Sequence, residues 1–119
     1  MDKKINCPYC DNSIHVYQDN EEFITVCPNC QKKYKTIFAK VRNVLERGSR
    51  VRDEKIEYRL RVINKANEEK FHKFKSGNDI EIRAGDEVGL IFKKRFLSAG
   101  FKSEPSIVMN YRIKHEMRV

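Results

Sequence analysis

Between Thr36 and Arg42 apolar and polar positions alternate, with Ile37, Ala39 and Val41 on one side and Phe38, Lys40 and Arg42 on the other. A period of two belongs to a strand, so a long two-sided strand is predicted here. The helical spacing Phe38, Val41, Leu45 competes with it over a short stretch. Tyr58, Leu60 and Val62 alternate with Arg59, Arg61 and Ile63, Asn64–Asn67 supplies turn formers, and Lys70–Phe74 returns as a strand. Ser76–Asp79 turns the chain again, leaving Ile80 and Ile82 on one face of a short strand. Arg83–Glu87 reads as a tight turn before the apolar run Val88–Phe92, in which Gly89 points to a bulge or sharp bend. A long loop, Lys93–Pro105, precedes Ser106–Tyr111, and His115–Val119 completes a last short strand. Nearer the N-terminus, Ile14–Tyr17 and Phe23–Val26 are β-prone runs around the turn formers Gln18–Glu21, which predicts a hairpin of the two. The fold class expected is mainly β, with a small antiparallel barrel in the C-terminal part.

Charge divides the chain. Of 119 residues, 25 are Lys or Arg and 17 Asp or Glu, a formal net charge of +8. Residues 1–38 hold five basic and five acidic groups, and residues 39–119 hold the whole excess. All four cysteines fall in the first part, so two abutting modules are expected, 1–38 and 39–119. No apolar run approaches the ~20 residues needed to cross a bilayer, and the opening Met1–Cys7 lacks the apolar stretch of a secretory signal. A cytoplasmic, reducing setting without membrane attachment is the expectation.

The cysteines read Cys7-Pro8-Tyr9-Cys10 and Cys27-Pro28-Asn29-Cys30, two C-x-x-C pairs 16 residues apart. Two residues between ligands let one turn point both sulfurs at one ion, and four thiolates suit tetrahedral zinc. Disulfide pairing needs an oxidising compartment, and a redox dithiol uses a single C-x-x-C. Iron takes the same four sulfurs. Iron sites place glycine after each pair, where this chain has Asp11 and Gln31, and that favours zinc. His15 lies between Ile14 and Val16 and is read as an exposed or cross-strand-paired side chain, because the cysteines already complete the tetrahedron.

With its two Cys-Pro-x-Cys turns, intervening β-prone runs and Tyr34 leading into a further strand, the first 38 residues resemble the zinc-ribbon (rubredoxin-like) superfamily. That resemblance implies one structural Zn2+ held by Cys7, Cys10, Cys27 and Cys30, and binding to nucleic acid or protein rather than catalysis. The strand-rich remainder, with its Ala84-Gly85-Asp86-Glu87-Val88 turn, resembles OB-fold or SH3-like barrels.

Two basic loops are candidate nucleic-acid contacts. Lys93, Lys94, Arg95 and Lys102 flank Phe96 and Phe101, pairing cations for phosphate with aromatics for unpaired bases. The competing reading folds those phenylalanines back onto the barrel. Arg47, Arg50 and Arg52 form the second loop, whose bland alternative is a solvated surface. Arg59/Arg61 and Lys73/Lys75 recur at period two, which marks either the wet face of a strand pair or a continuous basic stripe. Tyr58, Phe71, Phe74, Phe92 and Tyr111 are expected in the core, and His72 and His115 on the surface. No phosphate-binding glycine loop or His/acid cluster favours an enzyme or a small-molecule substrate. The expected function is a non-enzymatic module that binds RNA or DNA, with a protein-interaction adaptor as the alternative.

Overall fold

Strand β4, Lys33–Arg47, is the axis of the molecule. The computed structural model describes residues 3–16, 21–47, 56–77 and 80–119, with positions 46 and 47 as backbone only. Four strands complete the first part of the architecture: β1 (Lys3–Asn6), β2 (Ser13–Val16), β3 (Glu22–Val26) and β5 (Ile56–Ile63). Four more follow: β6 (Glu69–Ser76), β7 (Glu87–Lys93), β8 (Ile107–Asn110) and β9 (His115–Arg118). All pairings are antiparallel, and no helix is present among the described residues, so none is long and apolar enough to cross a membrane. The mainly-β class holds.

β1 and β2 form a separate hairpin, while the main sheet runs β6-β5-β4-β7-β8-β9 with β3 beside the N-terminal half of β4. The predicted pairing of Ile14–Tyr17 with Phe23–Val26 is therefore not formed; Tyr17 itself lies outside the described residues. Each C-x-x-C turn instead reverses the chain onto the strand before it. Cys7 N–H donates to Asn12 O at 2.9 Å and Cys27 N–H to Lys32 O at 3.0 Å, which aligns β1 with β2 and β3 with β4.

The Phe38–Ala39 position, where the charge balance changes, lies inside β4. β4 exchanges β3 for β5 along one edge and keeps β7 on the other as far as Lys40. The register shift sits between Val41 and Asn43, not at Gly89, where pairing with Phe38 and Met109 is regular. Gly89 is needed for space: a Cβ there would stand 2.8 Å from Tyr111 Oη and 3.3 Å from a Phe38 ring carbon.

Both faces of β7 and β8 are covered, which explains why Val88–Phe92 and Ile107–Met109 read as unbroken apolar runs. On one face Ile37, Val41, Leu60, Val62, Phe74, Val88, Leu90, Phe92, Val108 and Met117 form the larger core. On the other, Ile5, Cys7, Cys27, Tyr34, Phe38, Ile91, Ile107 and Met109 form a second core beneath the cysteines. The sheet curls far enough to bring Phe74 of β6 and Met117 of β9 into one cluster, but β6 and β9 do not pair, so no hydrogen-bonded barrel closes among the described residues. The segment of Ile80 and Ile82, expected as a strand, spans from β5 to β8 as irregular chain. Its backbone is bound by side chains: Ile80 N–H donates to Tyr58 Oη (3.3 Å) and Asn110 Nδ2 to Glu81 O (2.9 Å).

Asp86 anchors the turn after that segment. It is buried and accepts from Arg83 N–H (2.9 Å), Asn110 Nδ2 (2.8 Å) and Arg112 Nε (2.6 Å). Burial works against its ionisation. The hydrogen bonds from Arg112, Arg83 and Asn110 outweigh that effect and hold the carboxyl below the usual carboxylate range.

Candidate metal centre and basic surfaces

The two C-x-x-C turns are near copies of each other. Asp11 N–H donates to Cys7 O (3.0 Å) and Gln31 N–H to Cys27 O (2.8 Å), and both residues take left-handed backbone, with φ of 66° and 63°. These are the positions where glycine relieves the conformational strain in a related turn. The four sulfurs lie within 4.8 Å of one another, with Cys7 Sγ 3.6 Å from Cys30 Sγ and Cys10 Sγ 3.5 Å from Cys27 Sγ. A tetrahedron with metal–sulfur bonds of ~2.3 Å has an edge of about 3.8 Å, so the quartet fits a single ion. These separations are far longer than the ~2.05 Å of a disulfide, and all four thiols are free. The possible metal-binding site is thus assembled from residues 23 positions apart in sequence.

Its electrostatics are uneven. Burial pushes the Cys7 thiol up to about 12, against the pull of hydrogen bonds from the N–H groups of Tyr9 and Cys10. The Asn29 side chain, 3.5 Å away, and then the Asn12 N–H bring Cys10 down to about 6. Cys27 is lowered too, chiefly by the Cys30 N–H, with burial opposing. A cation held at the centre would draw off the remaining protons, and the four sulfurs could supply its whole tetrahedral sphere. His15 is exposed on β2, in register with Lys4.

Tyr9, at the tip of the first turn, joins this site to the candidate loop at 93–102. Its Oη accepts from Lys94 N–H at 2.9 Å, and Lys32 and Lys93 Nζ lie 4.9 and 5.5 Å from its ring centre. The loop is a closed hairpin rather than free chain, held by a Lys94–Phe101 bridge and by Lys102 N–H to Lys93 O at 2.9 Å. Its two phenylalanines separate. Phe101 packs on the larger core near Lys35, while Phe96 is 90% exposed beside Leu97 at 92%. Lys94, Arg95 and Lys102 are exposed and form no ion pair among the described residues. Arg50 and Arg52 lie outside the described residues, as does the side chain of Arg47.

A second basic surface, on the outer face of β4–β5–β6, was only partly visible in the sequence. Register places Leu45, Arg59 and Lys73 in one row and Asn43, Arg61 and Phe71 in the next, with Glu57 facing Lys75 beyond. Phe71, expected in the core, is 66% exposed with the Arg61 guanidinium 5.0 Å from its ring centre. The inward neighbour is instead His72, expected on the surface. It is half-buried 5.6 Å from the Phe92 ring, and burial, then Lys35 and Lys70, lower its pKa. Strand parity decides this exchange: Phe74, His72 and Lys70 share the inner face, and Phe71 and Lys73 the outer. Glu57 offsets Arg59, and Glu69 offsets Arg42 and stands 3.8 Å from Arg61, whereas Lys73 and Lys75 form no ion pair among the described residues. Tyr58, Phe74 and Phe92 are buried as expected, Tyr111 is half-buried, and His115 is exposed.

The chain matches no protein-family model, no curated protein and no solved structure.

Proposed function

We propose that the chain is a non-enzymatic nucleic-acid-binding module in which one zinc ion serves as a structural staple. The observation that carries this reading is the outer face of β4–β5–β6: an exposed Phe71 stands in one row with Arg61, the next row is Arg59 and Lys73, and Lys75 follows opposite Glu57. Side chains two apart on a strand repeat at about 6.6 Å, a spacing on which an extended sugar–phosphate backbone lies comfortably. The exposed ring offers a stacking surface to an unpaired base. The hairpin at 93–102 adds Lys93, Lys94, Arg95 and Lys102 with Phe96 as a second contact, and Tyr9 fixes its base to the metal centre. Zinc is favoured by a quartet made of four cysteine sulfurs, and its chemistry there would be to hold the two turns together.

Fluorescence anisotropy with a labelled single-stranded oligonucleotide at rising salt tests the reading. Four phosphate contacts give a slope of about −3 in log K against log salt. Lys73→Glu with Lys75→Glu weakens binding by about tenfold or more, and Phe71→Ala weakens it with an unchanged slope. No complex at low salt refutes it. The adaptor reading, in which a protein is the partner, is favoured by a different observation, the exposed apolar edge of β3.

A further inference from the structure

β3 pairs with β4 along Glu22–Val26 and with no other strand among the described residues. Soluble proteins defend such an edge with short strands, charged side chains (lysine above all), proline or a bulge. The five residues of β3 carry one charge, Glu22. Glu22-Phe23-Ile24-Thr25-Val26 contains no lysine or proline, and its register against β4 is unbroken. Phe23 turns towards the core beneath the metal centre, 5.6 Å from the Phe38 ring. The opposite face carries Ile24 at 59% and Val26 at 55% exposure, two of the six large apolar side chains left in solvent among the described residues.

Charge selects what covers this edge. Glu21 and Glu22 lie at the N-terminal end of β3. There Glu22 meets Lys35 and Lys70 of its own chain at 3.7 and 3.8 Å in solvent-accessible, exchangeable pairs, and Glu21 accepts from Lys65 N–H. Exposed Lys32 and Lys33 lie at the other end, with Lys33 in register with Val26. A strand laid antiparallel on β3 is therefore best matched when it has an acidic start, an apolar middle and a basic end. β3 itself meets that description. We propose that β3 is a self-association edge that pairs antiparallel with β3 of a second copy of this chain.

A twofold axis normal to the sheet at Ile24 keeps both apolar faces on the same side. Ile24 then meets the partner's Ile24, and Val26 lies against the carbon stem of the partner's Glu22. The carboxylate of the partner's Glu22 stands two strand spacings from Lys33, about 9.6 Å at the backbone and within the joint reach of the two side chains. The contact is isologous, so it closes at two copies rather than growing a fibre. The pairing rests on β3 alone and does not depend on nucleic-acid binding.

Sedimentation equilibrium of the purified, metal-loaded chain, free of nucleic acid and at about 1 mM or below, tests this in a range where a small contact registers. The expected result is a concentration-dependent rise from the 14.1 kDa of one chain towards twice that mass. Ile24→Lys with Val26→Lys, which puts like charges at the centre of the twofold, abolishes the rise while metal content stays the same. Hydrogen exchange on the unaltered chain supplies a measurement independent of substitution: the amides of β3 gain protection as concentration rises. A single 14.1 kDa species throughout, association that survives the double substitution, or β3 exchange independent of concentration overturns the proposal. Capture of a different protein on β3 by a chain that stays monomeric overturns it in favour of the adaptor reading.

Discussion

The backbone N–H of Lys94 donates to Tyr9 Oη at 2.9 Å, across 85 positions of sequence. Tyr9 belongs to the first cysteine turn and Lys94 to the basic hairpin, so the metal centre sets where the hairpin starts. Tyr9→Phe removes the hydroxyl and keeps the ring under Lys32 and Lys93. One neutral hydrogen bond contributes about 0.5–1.5 kcal/mol. Amide exchange at Lys94 should accelerate by roughly two- to tenfold, oligonucleotide affinity should fall by no more than that, and metal content should not change.

Asp86 makes stability depend on acid in a definite direction. Its folded-state pKa lies below the ordinary value of 3.8, so its contribution is fully present above that value and is lost as pH falls through the lower one. Asp86→Asn keeps the shape but loses the charged acceptor for Arg112, at a cost of about 2–3 kcal/mol at neutral pH. Urea midpoints of the two proteins should differ by a constant amount above about pH 5 and converge in stronger acid. Protonation of the cysteines is common to both and cancels in the difference.

Gly89 serves the packing of Tyr111 and Phe38, whose nearest atoms lie 2.8 and 3.3 Å from where its Cβ would be. Tyr111 Oη is fixed by donating to Lys4 O at 2.9 Å. Gly89→Ala is expected to destabilise by about 1–3 kcal/mol through overpacking. Tyr111→Phe in the same chain should recover part of that loss, because the closest clash is with the hydroxyl. Thermal melts of the single and double variants measure the coupling.

These cases mark what the sequence discloses. The metal quartet is legible because each C-x-x-C pair is local, and only one ion is needed to join the two. The strands at Tyr58–Ile63 and Val88–Phe92 are legible because alternation or a fully apolar run is a property of neighbours in sequence. Pairing partners are not local. Ile14–Val16 and Phe23–Val26 face one another along the sequence, yet the N–H bonds of Cys7 and Cys27 commit each turn to its own hairpin. Gly89 carries the signal of a bulge, but its cause is a ring from Tyr111, 22 residues away. Phe71 and His72 exchange their expected places because one residue of register decides which side faces the core. The basic stripe is visible in the sequence as a spacing; that it ends on an exposed aromatic beside Arg61 follows only from the β5–β6 register.

Cys27 lies in the same core cluster as Tyr34, Ile91 and Ile107, so an ion held by the four sulfurs would support more than its own turns. Cys27→Ser should lower bound metal below one ion per chain and expose this second core, while the larger core around Leu60, Val88 and Phe92 keeps its strands. Far-ultraviolet circular dichroism should retain most of its strand signal, and the melt should become broader and begin at lower temperature. Full metal content in this variant contradicts the four-sulfur assignment.

Zinc K-edge X-ray absorption on the purified chain tests the central claim most directly, because it identifies the element, its ligands and their distances together. The account predicts one zinc per chain with four sulfur neighbours at about 2.3 Å and no nitrogen or oxygen in the first sphere. A folded chain without metal, iron in place of zinc, or a sphere containing lighter ligands contradicts it.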